Sequence, residues 1–276
     1  MAQVTAAAVK ALRERTDLPM MDCKRALVEA GGDEEKAVEI LSQAFKKIQN
    51  KRADNATEEG RVFVLSNDAE AAMVEIQCES APVATGEVLG AFGEMLVKQL
   101  LEGPGADGPE ALMGQNVPGS DKTIQTEYEE LVNKIREKIV VKSVNRVAGP
   151  VGTYVHHDYK TGVLFMATGD GGSDTEVLKG VAMHIAALKP SVTSVEQLDG
   201  AAVTAERERL TAEAKATGKP DNIIDKIVDG RMNTFYVEQG VLVNQPYAKD
   251  DTKSVAQALK EQGYEAKCFT RVAIGG

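Results

Sequence analysis

The first 48 residues carry apolar positions at helical spacing, interrupted twice by residues that end helices. Thr5 can cap a first helix, in which Val9 and Leu12 share one face. The sequence Asp17-Leu18-Pro19 ends this helix, and a proline is tolerated in the first turn of the next one. The second helix is therefore predicted to run from Met20 to Ala30.

A third helix follows the glycine pair Gly31-Gly32. Asp33 is a natural N-cap, and the next two residues are glutamates, which favour the positive end of a helix. The apolar stripe of this helix consists of Ala37, Val38, Ile40 and Leu41. The pattern predicts a three-helix bundle with a shallow core, which suits a binding module. Residues 46–59 are polar and charged, and they are predicted to connect the bundle to a larger structure.

The remaining chain carries a faint internal repeat of a β-hairpin followed by two helical stretches. The hairpin strands are predicted at residues 61–65 and 72–76, and again at 153–155 and 163–166. A helix follows each hairpin, at 86–101 and 174–188, and then a longer helical stretch, at 122–140 and 196–217. Two related α+β subdomains with antiparallel sheets explain this order.

The C-terminal part of the chain returns to strand character after one more helix at residues 219–235. Strands are predicted at residues 242–245 and 268–274, on either side of a helix at 254–262. The predicted fold class is α+β. Its predicted domains are a helical module at 1–52, a first α+β subdomain at 53–148, and a second with a helical insertion at 149–276.

Composition and charge restrict the classes of partner. The formal net charge of −10 argues against wrapping a nucleic-acid backbone, because phosphate binding needs a basic surface. One dense basic cluster, at Lys46, Lys47, Lys51 and Arg52, can be either a solvated helix end or a local binding patch. No apolar run approaches membrane-spanning length, and charges near the N-terminus do not fit a signal peptide. We expect a cytoplasmic protein without a direct nucleic-acid or membrane partner.

Few residues in this chain point to catalysis or to metal binding. Cys23, Cys78 and Cys268 lie far apart without CxxC spacing, which indicates reduced thiols and neither zinc nor a disulfide framework. Residues 169–173 form a glycine-rich loop that lacks the signature of a dinucleotide site or a P-loop, so a turn is favoured over nucleotide binding. His184 lies among helix-core residues, which favours packing over catalysis. We expect no enzyme activity, no cofactor and no metal.

Two adjacent histidines, His156 and His157, lie at the tip of the second predicted hairpin, next to Asp158. Loop tips are more often recognition surface than core. If the strand persists through both residues, their side chains point to opposite faces, which argues against joint metal binding. The pair is therefore interpreted as recognition surface.

The segment Met20 to Leu27 has the character of a binding face. Adjacent residues on a helix are rotated by about 100°, so Met20 and Met21 cannot both face a small core, and one is expected to be exposed. Methionine is common on protein-binding surfaces, and Lys24 with Arg25 would add steering charge. Taken alone, the segment fits a binding face and a core with solvated cations equally well.

These residues carry a resemblance to a known family. The N-terminal runs are Leu12 to Thr16, Met20 to Leu27 and Gly32 to Ala37, and further runs are Val181 to Ala187, Gly218 to Pro220, Lys226 to Met232 and Gln245-Pro246. Together they resemble the elongation factor Ts family over nearly the whole chain. The resemblance implies an N-terminal three-helix module of ubiquitin-associated type and a core of two related α+β subdomains.

The resemblance also implies a function. Members of the family bind elongation factor Tu and expel its GDP so that GTP can enter, which makes this chain a guanine nucleotide exchange factor in protein biosynthesis. The predicted partner-binding residues are Met20, Met21 and Lys24 on the second helix and Ser80, Ala81 and Pro82 after the first hairpin. The resemblance adds His156, whose counterpart approaches the GTPase beside the nucleotide site. His157 has no such counterpart. Homodimerisation is left open.

One segment departs from the family pattern. Family members carry Thr-Asp-Phe after a Cys-Glu or Cys-Gln pair, and that Asp and Phe push into the GTPase near its Mg²⁺ site. Here Ser80, Ala81 and Pro82 take the three positions, so both the charge and the aromatic wedge are missing. Pro82 is expected to bias Ala81 toward extended geometry and to give a stiff, shorter tip. The alternative function is a diverged member that binds elongation factor Tu with weak exchange activity.

Overall fold

The chain folds into two compact units. A computed structural model describes residues 4–16, 18–171 and 175–275. The first unit comprises Met1–Leu65, Ala72–Arg146 and Ala273–Gly276, and the second comprises Ser66–Ala71 and Val147–Val272. The α+β class with antiparallel pairing is confirmed. The division into three domains at residues 1–52, 53–148 and 149–276 stays a prediction.

The N-terminal helices form the expected bundle. They are α1 (Ala6–Thr16), α2 (Met20–Glu29) and α3 (Glu34–Lys51). Thr5 accepts a hydrogen bond from the amide of Ala8 at 3.1 Å, and Asp33 accepts one from the amide of Lys36 at 3.1 Å, which confirms both predicted caps. The buried core consists of Val9, Leu12, Leu18, Cys23, Ala26, Leu27, Ala37 and Leu41. Asp17, predicted to help end α1, lies outside the described residues.

Helix α3 is longer than the sequence pattern suggested. The predicted connector at residues 46–59 is wrong for its first part, because α3 continues to Lys51. The reason is a second apolar contact on the same helix face. Phe45 is buried and Ile48 is half-buried, and both pack against the larger core of the first unit. The C-terminal half of α3 therefore belongs to that core.

The first unit is completed by a three-stranded sheet and four helices. Its elements are β1 (Glu59–Ser66), β2 (Glu70–Cys78), α4 (Ala81–Thr85), α5 (Glu87–Glu102), α6 (Pro109–Met113), α7 (Ile124–Ile135) and β3 (Ile139–Ala148), and the strand order is β1-β2-β3. The helix predicted at 122–140 is too long. Helix α7 ends at Ile135, because Arg136 adopts a left-handed φ of 62°. The following residues, rich in β-branched side chains, form β3 instead.

The second unit has two sheets, a helical hairpin and its own hydrophobic core. Its elements are β4 (Val151–Val155), β5 (Thr161–Gly169), α8 (Glu176–Leu188), α9 (Gly200–Lys215), α10 (Asp221–Glu238), β6 (Pro246–Tyr247), β7 (Asp250–Ser254), α11 (Val255–Glu261) and β8 (Tyr264–Ala273). One sheet has the order β4-β5-β8, and β4 pairs antiparallel with β5. Helices α9 and α10 pack through Leu210, Ala214, Ile224, Val228 and Met232.

One predicted strand in the second unit is wrong. Residues Leu242–Asn244 form a short 3-10 turn, not a strand. The buried side chain of Leu242 joins the core of the second unit, and its amide bonds to the carbonyl oxygen of Val192 at 2.9 Å. Among the described residues, no helix combines the length and the apolar character needed to cross a membrane.

Candidate functional site

Helix α2 presents an apolar face to solvent. Met20 is 53% exposed, Met21 is 63% exposed and Val28 is 61% exposed. Cys23, Ala26 and Leu27 of the same helix are buried in the bundle. The expectation that one methionine is exposed is confirmed, and the second is exposed as well. Val28 was not singled out from the sequence, although it lies two turns after Met21 on the same face.

The charged residues of α2 differ in whether they form ion pairs. Lys24 is exposed between Met21 and Val28 and forms no ion pair within the described residues. Arg25, the second expected steering charge, pairs with Asp22. Asp22 also pairs with Arg136, which follows α7. Free positive charge on this face is therefore carried by Lys24, while Arg25 belongs to a local ion network.

The segment Ser80-Ala81-Pro82 is a helical turn. The expectation of an extended tip is wrong, because Ala81 and Pro82 are the first residues of α4 and only Ser80 is extended. Proline is favourable in the first turn of a helix, where its missing N–H would have no partner. The carbonyl of Ser80 accepts the amide of Ala84 at 3.1 Å, which closes the turn. The side chains of Ala81 and Pro82 are exposed.

Ser80 is an anchor of this turn. Its hydroxyl donates a hydrogen bond to Oε1 of Glu137 at 2.8 Å, and its side chain is half-buried. The thiol of Cys78 donates to the carbonyl oxygen of Ser80 at 3.4 Å. Burial raises the pKa of Cys78 to about 11, although its bond to Ser80 acts in the opposite direction. Cys78 is therefore a neutral, structural thiol.

Glu79 connects this turn to other elements of the first unit. Its carboxylate accepts hydrogen bonds from Arg52 at 2.7 Å, from Asn55 at 2.8 Å and from the backbone amide of Lys138 at 2.5 Å. Burial opposes ionisation of Glu79, but these three hydrogen bonds outweigh burial and hold the pKa of Glu79 below its ordinary value. The base of the Ser80 turn is therefore fixed by a charged network, which sequence reasoning missed.

The hairpin tip between β4 and β5 places the two histidines side by side. Strand β4 ends at Val155, so alternation of side chains does not continue through the tip. The condition under which His156 and His157 would point to opposite faces is therefore not met, and their ring centroids lie 4.2 Å apart. Even so, no cluster of three or more metal-binding side chains occurs in the part of the chain that the structure describes.

His156 is held in place, whereas His157 is exposed. Nδ1 of His156 lies 2.9 Å from the hydroxyl of Tyr154. The amide of His156 donates to Thr161 at 2.9 Å, and its carbonyl accepts the amide of Tyr159 at 2.9 Å. The tip therefore offers one half-buried, oriented imidazole at its surface.

His184, the third histidine of the chain, has a structural role. His184 is buried, with Nε2 2.9 Å from Oε1 of Gln245 and Nδ1 accepting the amide of Ala248 at 3.2 Å. Burial lowers the pKa of His184. The packing role predicted for this residue is confirmed. In the glycine-rich loop, Gly172 and Ser173 lie outside the described residues.

Comparison with known proteins gives one consistent family. Residues 79–276 match the family described as Elongation factor TS. Elongation factor Ts of Paenarthrobacter aurescens is 38% identical over 281 residues, covering 100% of both chains. Elongation factor Ts of Thiobacillus denitrificans is 38% identical over 100% of this chain and 93% of its own, and that of Psychrobacter cryohalolentis is 33% identical over 99% and 91%.

Proposed function

Because the chain belongs to the elongation factor Ts family, we propose that it binds elongation factor Tu in the cytoplasm and promotes release of GDP during translation elongation. The observation that carries the proposal is similarity to relatives of that name over the full length of the chain. Both the N-terminal bundle and the following α+β structure are covered. The proposed function requires no catalytic residue, cofactor or metal of its own.

The proposed mechanism is allosteric. Binding favours a form of the GTPase whose contacts to nucleotide and Mg²⁺ are weakened, and by linkage the nucleotide must weaken binding of this chain by the same factor. The exchange factor then needs surfaces that bind the partner and surfaces that act near its nucleotide. We assign the α2 face to the first task, and the Ser80 turn and His156 to the second.

The α2 face has properties expected of a protein-binding surface. Two flexible methionines and a valine are exposed beside a lysine without an ion pair among the described residues. Burying apolar side chains is worth about 25 cal/mol per Å², and methionine adapts its shape to a partner surface. Lys24 would attract an acidic patch and raise the association rate.

A second candidate function rests on the Ser80 turn. Ala81 and Pro82 are exposed on α4, where family members carry an acidic and an aromatic side chain. A methyl group and a proline ring supply no charge and far less contact area than those side chains. A diverged member that binds elongation factor Tu but accelerates GDP release weakly would have this surface.

The two candidates are separated by one titration. The purified chain is added in catalytic amounts to elongation factor Tu loaded with fluorescent GDP, in excess unlabelled nucleotide. Fast loss of fluorescence supports exchange. Slow loss, together with a stable complex in size-exclusion chromatography, supports binding with weak exchange.

A chain that neither forms the complex nor changes the fluorescence would refute both functions. Glu94→Gln serves as the matched control variant, because Glu94 is exposed on α5 and lies outside all three assigned surfaces. It should behave as the wild type in both assays.

A further inference from the structure

Tyr154 and His156 lie two residues apart at the end of β4, with their side chains in contact. The hydroxyl of Tyr154 is 2.9 Å from Nδ1 of His156. The ring of Tyr154 packs against the core of the second unit, and this packing fixes the position of its hydroxyl. The hydrogen bond therefore connects a core-packed tyrosine to a histidine at the hairpin tip.

The imidazole of His156 is restrained from more than one direction. The ring centroids of His156 and His157 lie 4.2 Å apart, and the two rings meet at an interplanar angle of 57°. The backbone of His156 bonds to both Thr161 and Tyr159. Nε2 of His156 has no hydrogen-bond partner within the described residues, so it is the nitrogen available to another molecule.

The hydrogen bond at Nδ1 of His156 determines whether Nε2 carries the proton of the neutral imidazole. A phenolic O–H donates well to the basic nitrogen of a neutral imidazole, and the proton of the imidazole then resides on the other nitrogen. We propose that Tyr154 is a positioning residue that holds His156 as the Nε2–H tautomer, so that His156 presents a hydrogen-bond donor to an acceptor oxygen of the bound GTPase. This inference rests on the proposed function and names the chemistry of one contact in it.

The tautomer is tested without the partner. The ¹⁵N chemical shifts of the His156 ring are measured at about pH 8, where a free imidazole is neutral. The wild type should show a protonated Nε2 and an unprotonated Nδ1. Tyr154→Phe, which keeps the packed ring and removes only the hydroxyl, should show a mixture of tautomers. A protonated Nδ1 in the wild type, or an unchanged tautomer in Tyr154→Phe, would overturn the proposal.

The contact is tested by GDP release from elongation factor Tu. Tyr154→Phe should lower the maximal release rate by about threefold to tenfold, the range that one hydrogen bond is worth. His156→Ala should lower it at least as much, and Tyr154→Phe should add nothing in the His156→Ala background. His157→Ala, which leaves the Tyr154 bond in place, should do much less.

A donor at the ε position can be replaced selectively. The amide of His156→Gln can place an N–H near the position of Nε2, whereas the shorter His156→Asn cannot, so only the glutamine variant should recover part of the rate. Equal rates for both, or additive effects of Tyr154→Phe and His156→Ala, would overturn the proposal. A wild type that fails to bind elongation factor Tu would refute the proposed function and the donor contact, while the ¹⁵N shifts would still decide the role of Tyr154.

Discussion

Arg52 and Glu79 form a salt bridge, with Nη1 of Arg52 2.7 Å from Oε2 of Glu79. Arg52 follows the last residue of α3, and Glu79 immediately precedes the Ser80 turn. The bridge therefore joins the long helix of the N-terminal bundle to the base of a proposed exchange surface. Two further hydrogen bonds to Glu79 make this carboxylate a shared fixing point.

Replacing Glu79 should destabilise the first unit. Glu79→Gln removes the charge that three donors share, and we expect a loss of about 1 kcal/mol in the free energy of unfolding, because Arg52 remains partly solvated. Urea unfolding followed by circular dichroism measures this loss. Glu94→Gln is the control and should leave the midpoint unchanged.

The contribution of Glu79 should also depend on pH. Its folded-state pKa lies below the ordinary value of 4.5. A depressed carboxylate pKa contributes stability that is fully present above the unfolded-state pKa and is lost as pH falls through the folded-state pKa. The stability difference between wild type and Glu79→Gln should thus be constant at neutral pH and shrink below pH 4.5. If the stability difference between wild type and Glu79→Gln grows as the pH falls, the hydrogen-bond network around Glu79 is not as described.

Phe45 should stabilise the larger core of the first unit. Its ring meets that of Tyr128 edge-on at 5.7 Å, and it is nearly fully buried. Phe45→Ala is expected to cost about 3 kcal/mol of unfolding free energy, the ordinary loss for a buried aromatic side chain. Thermal and urea unfolding measure it, with Phe45→Leu as the milder comparison. If Phe45→Ala lowers the free energy of unfolding by less than Phe45→Leu does, the ring of Phe45 is not packed in the core as described.

The N-terminal bundle should be removable in steps. Deleting residues 1–31 leaves α3 with Phe45 and Arg52 in place, and it should weaken binding to elongation factor Tu more than tenfold, a loss above about 1.4 kcal/mol. Deleting residues 1–52 should weaken binding to the same extent as the shorter deletion. It should also lower the free energy of unfolding, because the side chains of Phe45 and Arg52 are lost. Unchanged affinity after either deletion would count against the bundle as a binding module.

The α2 face should affect affinity without affecting folding. Met20→Ala with Met21→Ala is expected to weaken binding about tenfold, because exposed side chains are removed from the contact and not from the core. Lys24→Ala should mainly slow association, and more so at low salt. Titration calorimetry and stopped-flow association measure the two effects. Leu27→Ala, on the buried face, is the contrasting control and should destabilise the bundle.

The Ser80 turn should limit the exchange rate. The replacement Ser80→Thr, Ala81→Asp, Pro82→Phe keeps a hydroxyl able to reach Glu137 and adds its new groups at exposed positions. We expect it to raise the maximal rate of GDP release more than the affinity, as measured by stopped flow at saturating protein. If the wild type already releases GDP as fast as this variant, the turn is dispensable for exchange, and of the two surfaces assigned to act near the nucleotide only His156 remains.

Cys78 should resist alkylation in the folded chain. Its pKa of about 11 leaves very little thiolate at pH 8, and its side chain is fully buried. Cys268, which is half-buried, should react first with iodoacetamide. Mass spectrometry of digests taken over time gives the order. Early modification of Cys78 without unfolding would contradict the structural role.

Local signals in the sequence were sufficient for several features of this protein. The caps at Thr5 and Asp33 act on backbone amides three residues away, so their effect does not depend on distant parts of the chain. The apolar run around His184 likewise predicts a buried helix, and that histidine is packed. Features whose causes lie within a few residues could be predicted before the fold was known.

Only the tertiary structure decided features that depend on distant partners. Helix α3 continues to Lys51 because Phe45 and Ile48 find a core built from residues far along the chain. The Ser80 turn is fixed by Glu137 and by Arg52, which no local pattern relates to it. The two tip histidines meet because β4 ends at Val155, and a strand end is set by pairing with β5. The sequence alone identified candidate side chains, but their orientation comes from hydrogen bonds and packing between distant segments.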